Sequence, residues 1–344
     1  MTQAPPPPVD RSKLTPGQLV ELLSSVPIIQ CLHVVARLGV ADLVKDGPRT
    51  IDELAAETKA HAPTLLRVLR TLACRGVFEL LPDGRLGPSP ASRMLEAKRM
   101  GTARDIAVMV GEPLYWEPTG ALLHAVMTGE SAFTHVHGAP LYDYLEAHPD
   151  ASRAFFASLA PGAKLQDQAI LKHYDFSGFT TVLDIGGGDG SFLIQLMEKF
   201  PTLKTVLFDL PQVVKLATEI ERRPELRARC DIKTGSFFER VPSGADGYVL
   251  RGVPMDWDDA RLATILHNVR AAMAPGSKLL TALTLDADAP RERMLDLNLL
   301  MMAPAGRLRS QAELHAAYAA AGLDITRVIQ PPYAERALVE AVPV

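Results

Sequence analysis

Cysteine is scarce in these 344 residues. The three thiols, Cys31, Cys74 and Cys230, are odd in number and far apart. That pattern excludes a disulfide framework and a zinc cluster, and it fits reduced thiols in the cytoplasm. Net charge is only −4, so nothing pulls the chain as a whole toward nucleic acid or an anionic membrane. No apolar run is long enough to span a bilayer. The start lacks the basic residues and apolar stretch of a signal peptide, and residues 1–13, with prolines at 5–8, read as a flexible tail. No G-x-x-x-x-G-K-[ST] occurs, which argues against a phosphate-cleaving P-loop. What is present is 47% hydrophobic and 22% charged, the balance of a soluble globular chain with one large or two ordinary domains.

Residues 18–43 are apolar at helical spacing on too many faces for a lone surface helix, so they predict burial in a core or against a second subunit. Pro27 should split the run into two helices. Thr50-Ile51-Asp52-Glu53 has capping-box spacing and opens a helix through Thr58. A further helix from Ala62-Pro63 should end at Gly76, followed by a hairpin over 77–87. This order is that of a winged helix. DNA reading through Arg67, Arg70 and Arg75 is one use of it, and dimerisation is the other. Residues 16–100 carry 11 basic against 9 acidic side chains, too weak a footprint for a DNA reader, so no nucleic-acid partner is expected.

Residues 100–175 read as helical and rich in bulky groups. They predict either an aromatic substrate pocket or ordinary helical core. Trp116, His124, Met127, Phe155 and Leu159 are its candidate substrate contacts. His135-Val136-His137 is expected on a loop with no acid at ligand spacing, so no metal site is expected.

From Thr180 strands and helices alternate, which predicts a doubly wound α/β domain with its ligand beyond the carboxyl ends of the strands. Strands are expected at 182–185, 205–209, 231–234, 247–253, 278–285, 325–329 and 337–341. Helices are expected near 190–200, 211–221, 259–273 and 310–322. The chain is organised around Val182-Leu183-Asp184-Ile185-Gly186-Gly187-Gly188-Asp189-Gly190-Ser191. An apolar strand ends in an acid and a glycine turn, and a helix follows. Such a turn admits a ligand close to the backbone and offers it free N–H donors. Asp209 follows Gly186 by 23 positions, at the end of the next strand, where an acid is placed to bind ribose hydroxyls.

Taken with Phe208-Asp209-Leu210-Pro211 and Asp256-Trp257-Asp258-Asp259, that glycine run resembles the S-adenosylmethionine-dependent small-molecule O-methyltransferase family. The resemblance covers nearly the whole chain. It implies a winged-helix dimerisation domain over 14–100, a helical linker and pocket region over 101–175, and a Rossmann-like catalytic domain over 176–344. It implies a cytoplasmic homodimer joined through its N-terminal helices, and S-adenosylmethionine as cofactor. The Gly186–Gly190 loop, with Gly186 and Gly188, would hold the methionine part, and Asp184 joins the candidate cofactor contacts. Asp209 would bind the ribose, and Leu210 and Trp257 would flank the adenine. Ser236 and Phe237 would lie in the third-strand turn, with Arg251 near the cofactor.

Departures from the resemblance are as informative. The family's proton-accepting histidine falls at Met255, whose thioether accepts no proton at neutral pH. The two glutamates that orient that histidine fall at Leu283 and Leu308. Met255, Asp296 and Met302 join the candidate substrate contacts. His124, His267 and His315 are candidate replacement bases by residue type; His267, beside Ile265 and Leu266 on its helix, reads as structural, and His124, in the pocket region, is the preferred choice. General-base help is worth about 10²–10⁴-fold and is dispensable for a nitrogen lone pair or a self-ionising hydroxyl. The expected activity is therefore methylation of a small aromatic or heteroaromatic natural product by proximity. The alternatives are a cofactor-bound non-methylating enzyme, of hydroxylase or pericyclase type, and a winged-helix regulator.

Overall fold

The computed structural model describes residues 14–97, 103–286, 290–303, 306–331 and 336–344. The expected tail lies outside them. The chain divides into two compact units, one ending at Glu112 and the other spanning Pro113–Val344.

In the first unit the long apolar run is indeed two helices, Pro16–Leu23 and Val26–Arg37. The break falls at Ser24 and Ser25, and Pro27 sits in the first turn of the second helix, where its missing N–H costs nothing. Helix Ile51–Thr58 starts with the expected box. The Thr50 N–H donates to Glu53 Oε2 at 2.7 Å, and the Glu53 N–H donates to Thr50 Oγ1 at 3.2 Å. Helix Ala62–Ala73 and a short antiparallel hairpin, with Leu80 opposite Leu86, complete the unit. Val35, Leu54, Leu69, Leu72, Phe78 and Leu86 form its core. The N-terminal helices leave Leu19, Val20, Leu22, Leu23 and Val26 exposed by 49–70%.

The second unit carries a seven-stranded sheet. Its strands are β1 (Thr181–Ile185), β2 (Lys204–Asp209), β3 (Cys230–Thr234), β4 (Gly247–Arg251), β5 (Lys278–Leu283), β6 (Leu323–Ile329) and β7 (Ala337–Pro343). The order is β3-β2-β1-β4-β5-β7-β6. The first five run parallel, and β7 is inserted antiparallel between β5 and β6. All seven expected strands are present. The fourth and fifth stop at Arg251 and Leu283, sooner than their apolar runs do, because the chain turns away there. The helix expected over 211–221 is two short ones, Pro211–Val214 and Thr218–Arg222.

Near-continuous apolar strands buried on both faces explain the parallel core. One face packs Leu183, Tyr248, Leu250 and Leu279 against helix Asp259–Ala272. The other packs Val182, Val249 and Leu280 with Phe192 and Leu196 of helix Ser191–Lys199. Each such side chain, fully buried, stabilises the fold by about 1.5–3 kcal/mol. The strand order reverses at β1, so the crevice at its carboxyl end is where a ligand binds in this architecture.

Candidate functional site

At that carboxyl edge β1 delivers Asp184 into the interior and runs into the glycine loop. Gly186, Gly188 and Gly190 have φ of 69°, 64° and 75°, a left-handed backbone that glycine takes without strain. Gly188 faces open space: a Cβ built there meets nothing within 4 Å. Asp209, at the end of β2, ties the loop down. Its carboxylate accepts the Gly188 N–H at 2.9 Å and the Leu210 N–H at 2.7 Å. Burial outweighs those two bonds and raises Asp209 to about 6. Carboxylate lone pairs remain for a vicinal diol beyond the two amides.

Beyond β3 the turn at Ser236 is held locally. Ser236 Oγ accepts the Phe238 N–H at 3.2 Å, and the Asn268 amide donates to the carbonyls of Phe237 and Phe238 at 2.9 and 3.0 Å. A groove of about 630 Å³ opens beside this turn, lined among others by Phe208, Lys233, Gly235 and Ser236. Trp257 stands edge-on to Phe237 and Phe238 at 6.1 and 4.7 Å and stacks with Tyr142 at 5.5 Å. These rings pack into one apolar cluster beside the glycine loop, where Phe237 lies 3.7 Å from a Cβ built on Gly186.

Arg251 proves to be a buried strut. Its guanidinium donates to Asp167 Oδ1 at 2.7 Å and Asp184 Oδ2 at 2.9 Å, and lies 4.6 Å from the centre of the Phe192 ring. Only 8% of the side chain is exposed. Burial pulls Arg251 down, but Asp184 and Asp167 together hold it above its ordinary value. Asp167 keeps one oxygen, Oδ2, buried without a partner, and burial raises its pKa.

Met255, in the short turn Pro254–Asp256, packs with Leu299 and Leu308 into one small apolar cluster. Leu283 lies apart from it, in the sheet core. Two of the three departures thus form one greasy wall. Asp296 supports that wall by accepting the Leu308 N–H at 2.8 Å. Arg309, 3% exposed, pins the turn by donating to the carbonyls of Pro254 and Trp257, both at 2.8 Å. Beside Met255, the Tyr142 hydroxyl donates to Asp256 Oδ2 at 2.5 Å. Burial lifts Asp256 to about 6.

Other candidates fall elsewhere. Met302 is buried in a cluster with Met301, Phe133 and Leu141, against which Phe155 and Tyr142 pack. Trp116 is half-buried. Met127 is 75% exposed and Leu159 43% exposed, so neither meets that cluster from the surface it occupies. His124 stacks on His135 at 3.7 Å, with Nε2 3.3 Å from Glu130. His135 and His137 lie on helix Ala132–His137, not on a loop, because Ser131 caps its start and Gly138 ends it. Among the described residues no cluster could hold a metal ion. His267 and His315 are exposed on their helices.

The sequence placed Tyr142 only among the bulky groups of the pocket region and missed Asp167, Arg309 and Arg336. Arg336 immediately precedes β7 and therefore stands at the same edge as the loop, since Leu283 at the end of β5 pairs with Ala337. Its guanidinium lies flat against Gly252: a Cβ on that glycine would come within 3.0 Å of it.

An O-methyltransferase domain family matches residues 120–324, and an O-methyltransferase dimerisation family matches residues 20–97. The chain is 38% identical over 329 residues to a phenazine O-methyltransferase of Lysobacter antibioticus, spanning 95% of this chain and 96% of the relative. It is 32% identical over 329 residues to the 8-amino-8-demethylriboflavin N,N-dimethyltransferase of Streptomyces davaonensis, spanning 94% of each. The crystal structure of an O-methyltransferase from neocarzinostatin biosynthesis, in complex with S-adenosylmethionine and 2-hydroxy-5-methyl naphthoic acid, superposes with a TM-score of 0.83 at 28% identity. It covers 94% of this chain and 98% of that one. These relatives give no support to a non-methylating enzyme or a regulator.

Proposed function

The chain belongs to the O-methyltransferase family and uses S-adenosylmethionine, and we propose from that premise that it methylates a small aromatic or heteroaromatic natural product without a histidine base. The observation that carries this reading is the tie between Gly188 and Asp209, with the ring cluster of Trp257, Phe237 and Phe238 lying against the same loop at Gly186. Asp209 would take the ribose hydroxyls, Leu210 and Trp257 would flank the adenine, and the loop at Gly186 and Gly188 would take the methionyl end. Arg251 serves by holding Asp184 and Asp167 in place. When bound, the cofactor supplies an electrophilic methyl on a sulfonium.

The residues of this chain then have positioning to do. Met255, Leu299 and Leu308 present an apolar wall that excludes water and aligns a flat acceptor. Met302 and Phe155, in their own apolar cluster, and Trp116 are further candidate substrate contacts. With Met255 unable to take a proton, the acceptor atom is best a ring or amine nitrogen, or a hydroxyl acidic enough to ionise by itself. Relatives named for O- and for N-methylation fit both.

The exposed leucine and valine face of helices Pro16–Leu23 and Val26–Arg37 is read as the dimer surface of a winged-helix domain over 14–100. The 101–175 segment would add the pocket to the 176–344 catalytic domain, in a cytoplasmic homodimer. Among the described residues no single helix is long and apolar enough to cross a membrane. Incubation with methyl-labelled S-adenosylmethionine and a panel of phenazines, naphthoates and aminoflavins tests the activity. Label should appear in a substrate-derived product, and conversion of substrate with the cofactor intact would overturn methyl transfer.

A further inference from the structure

We propose that Arg336 is an anchor for a carboxylate, and that the carboxylate it takes is the one on the amino-acid end of the cofactor. The inference rests on the reading of the site as one for S-adenosylmethionine. Two arginines stand at the carboxyl edge of the sheet near the glycine loop, and they differ in what they have left to give. Arg251 spends its donors on Asp167 and Asp184. Arg336 is half-buried, and among the described residues it makes no hydrogen bond and no ion pair. A guanidinium without an acceptor at such a place has five N–H donors in a planar fork, the geometry that a carboxylate fills with two parallel bonds.

Placement narrows the source of that carboxylate. Gly252 directly follows the last residue of β4, the strand beside β1, and the guanidinium rests on it. Any side chain at Gly252 would occupy the volume that Arg336 fills. Electrostatically Arg336 is coupled to Arg251, Asp167 and Asp256. Burial and then Arg251 pull its pKa below the ordinary value, while the two aspartates oppose this. Asp167 in turn carries the buried, unpartnered oxygen. One free guanidinium and one free carboxylate oxygen in the same cluster match the two charges of an α-amino acid. An anionic substituent on the aromatic substrate offers the same carboxylate chemistry without the ammonium, and the experiment separates the two.

Calorimetric titration of the full chain with S-adenosylmethionine, S-adenosylhomocysteine and 5′-methylthioadenosine reads the proposal without turnover. The last two ligands share the thioether and nucleoside and differ in the amino-acid end. Arg336→Gln should weaken the first two by about 10- to 100-fold, the loss of a charge-assisted pair, and leave methylthioadenosine within about twofold. Arg336→Lys, which keeps the charge and loses the fork, should fall between. Retained methylthioadenosine binding shows that the variant is folded. Equal loss of all three ligands would assign Arg336 a structural role and overturn the proposal. Unchanged cofactor affinity with a raised KM for carboxylated acceptors alone would overturn it in favour of the substrate. A wild-type chain that binds none of the three would instead sink the cofactor reading itself.

Discussion

The two sides of the crevice are built in opposite chemistries. On the loop side, Asp209, Ser236, Arg251 and the Gly188 amide are joined by hydrogen bonds of 2.7–3.2 Å to fixed partners. On the other side, Met255, Leu299 and Leu308 meet only as packed apolar surface. Polar groups in fixed geometry select one ligand strongly, because each mismatch leaves a buried group unpaired. An apolar wall discriminates weakly, at about 1–3 kcal/mol per methylene. The contrast teaches that this fold can keep one cofactor while the acceptor it serves changes from relative to relative.

The largest way to break the contrast is to remove the strut. Arg251→Met would leave Asp184 and Asp167 buried without their shared cation. It should cost about 3–5 kcal/mol of stability, seen as a much lower denaturation midpoint. On the apolar side Leu308→Ala should cost about 2–5 kcal/mol through its cavity, yet leave S-adenosylhomocysteine affinity nearly unchanged. A loss of cofactor binding there would merge the two sides into one.

Acid sharpens the comparison. Asp209 sits near 6 in the folded chain against an ordinary 3.8, so it takes up a proton as pH falls through about 6. The raised value means that its ionised form is disfavoured by folding. This penalty is present above pH 6 and is relieved as pH falls toward 4. Cofactor binding should respond in the opposite sense, since a protonated Asp209 accepts fewer hydroxyl bonds. Affinity for S-adenosylhomocysteine should drop severalfold between pH 7 and 5, and Asp209→Asn should flatten that profile. A profile in the variant as steep as in the wild type would assign the titration elsewhere.

A smaller effect concerns the first unit. Leu22→Asp with Leu23→Asp places charge on the exposed apolar face and should convert a dimer to monomers in light scattering, with little change in the helical content of the unit.

The loop side was far more legible in the sequence than the wall side. Gly186, Gly188 and Asp209 announce themselves by local spacing, because a strand, a turn and a helix must follow one another within a few residues, while Trp257 is reached only through the family resemblance. The same is true of the Thr50 capping box. Tyr142 meets Asp256 across 114 positions, Arg251 meets Asp167 across 84, and Arg309 meets Trp257 across 52. No periodicity records such pairings, which depend on how helices settle on the sheet. The exposure of Met127 and the stacking of His124 on His135 were hidden for the same reason: bulk and apolarity do not say which face of a short helix is covered. Met255 could be located by its neighbours Asp256 and Trp257, although its packing against Leu308 could not.

The central claim is that holding the cofactor, more than moving a proton, is the chemical work of this site. The most direct measurement is kcat/KM for methyl transfer to a heteroaromatic nitrogen by the wild type and by Met255→His. The account predicts no gain from the histidine, since the nitrogen lone pair needs no base. A rise of about 100-fold or more, the range that a general base supplies, would contradict it.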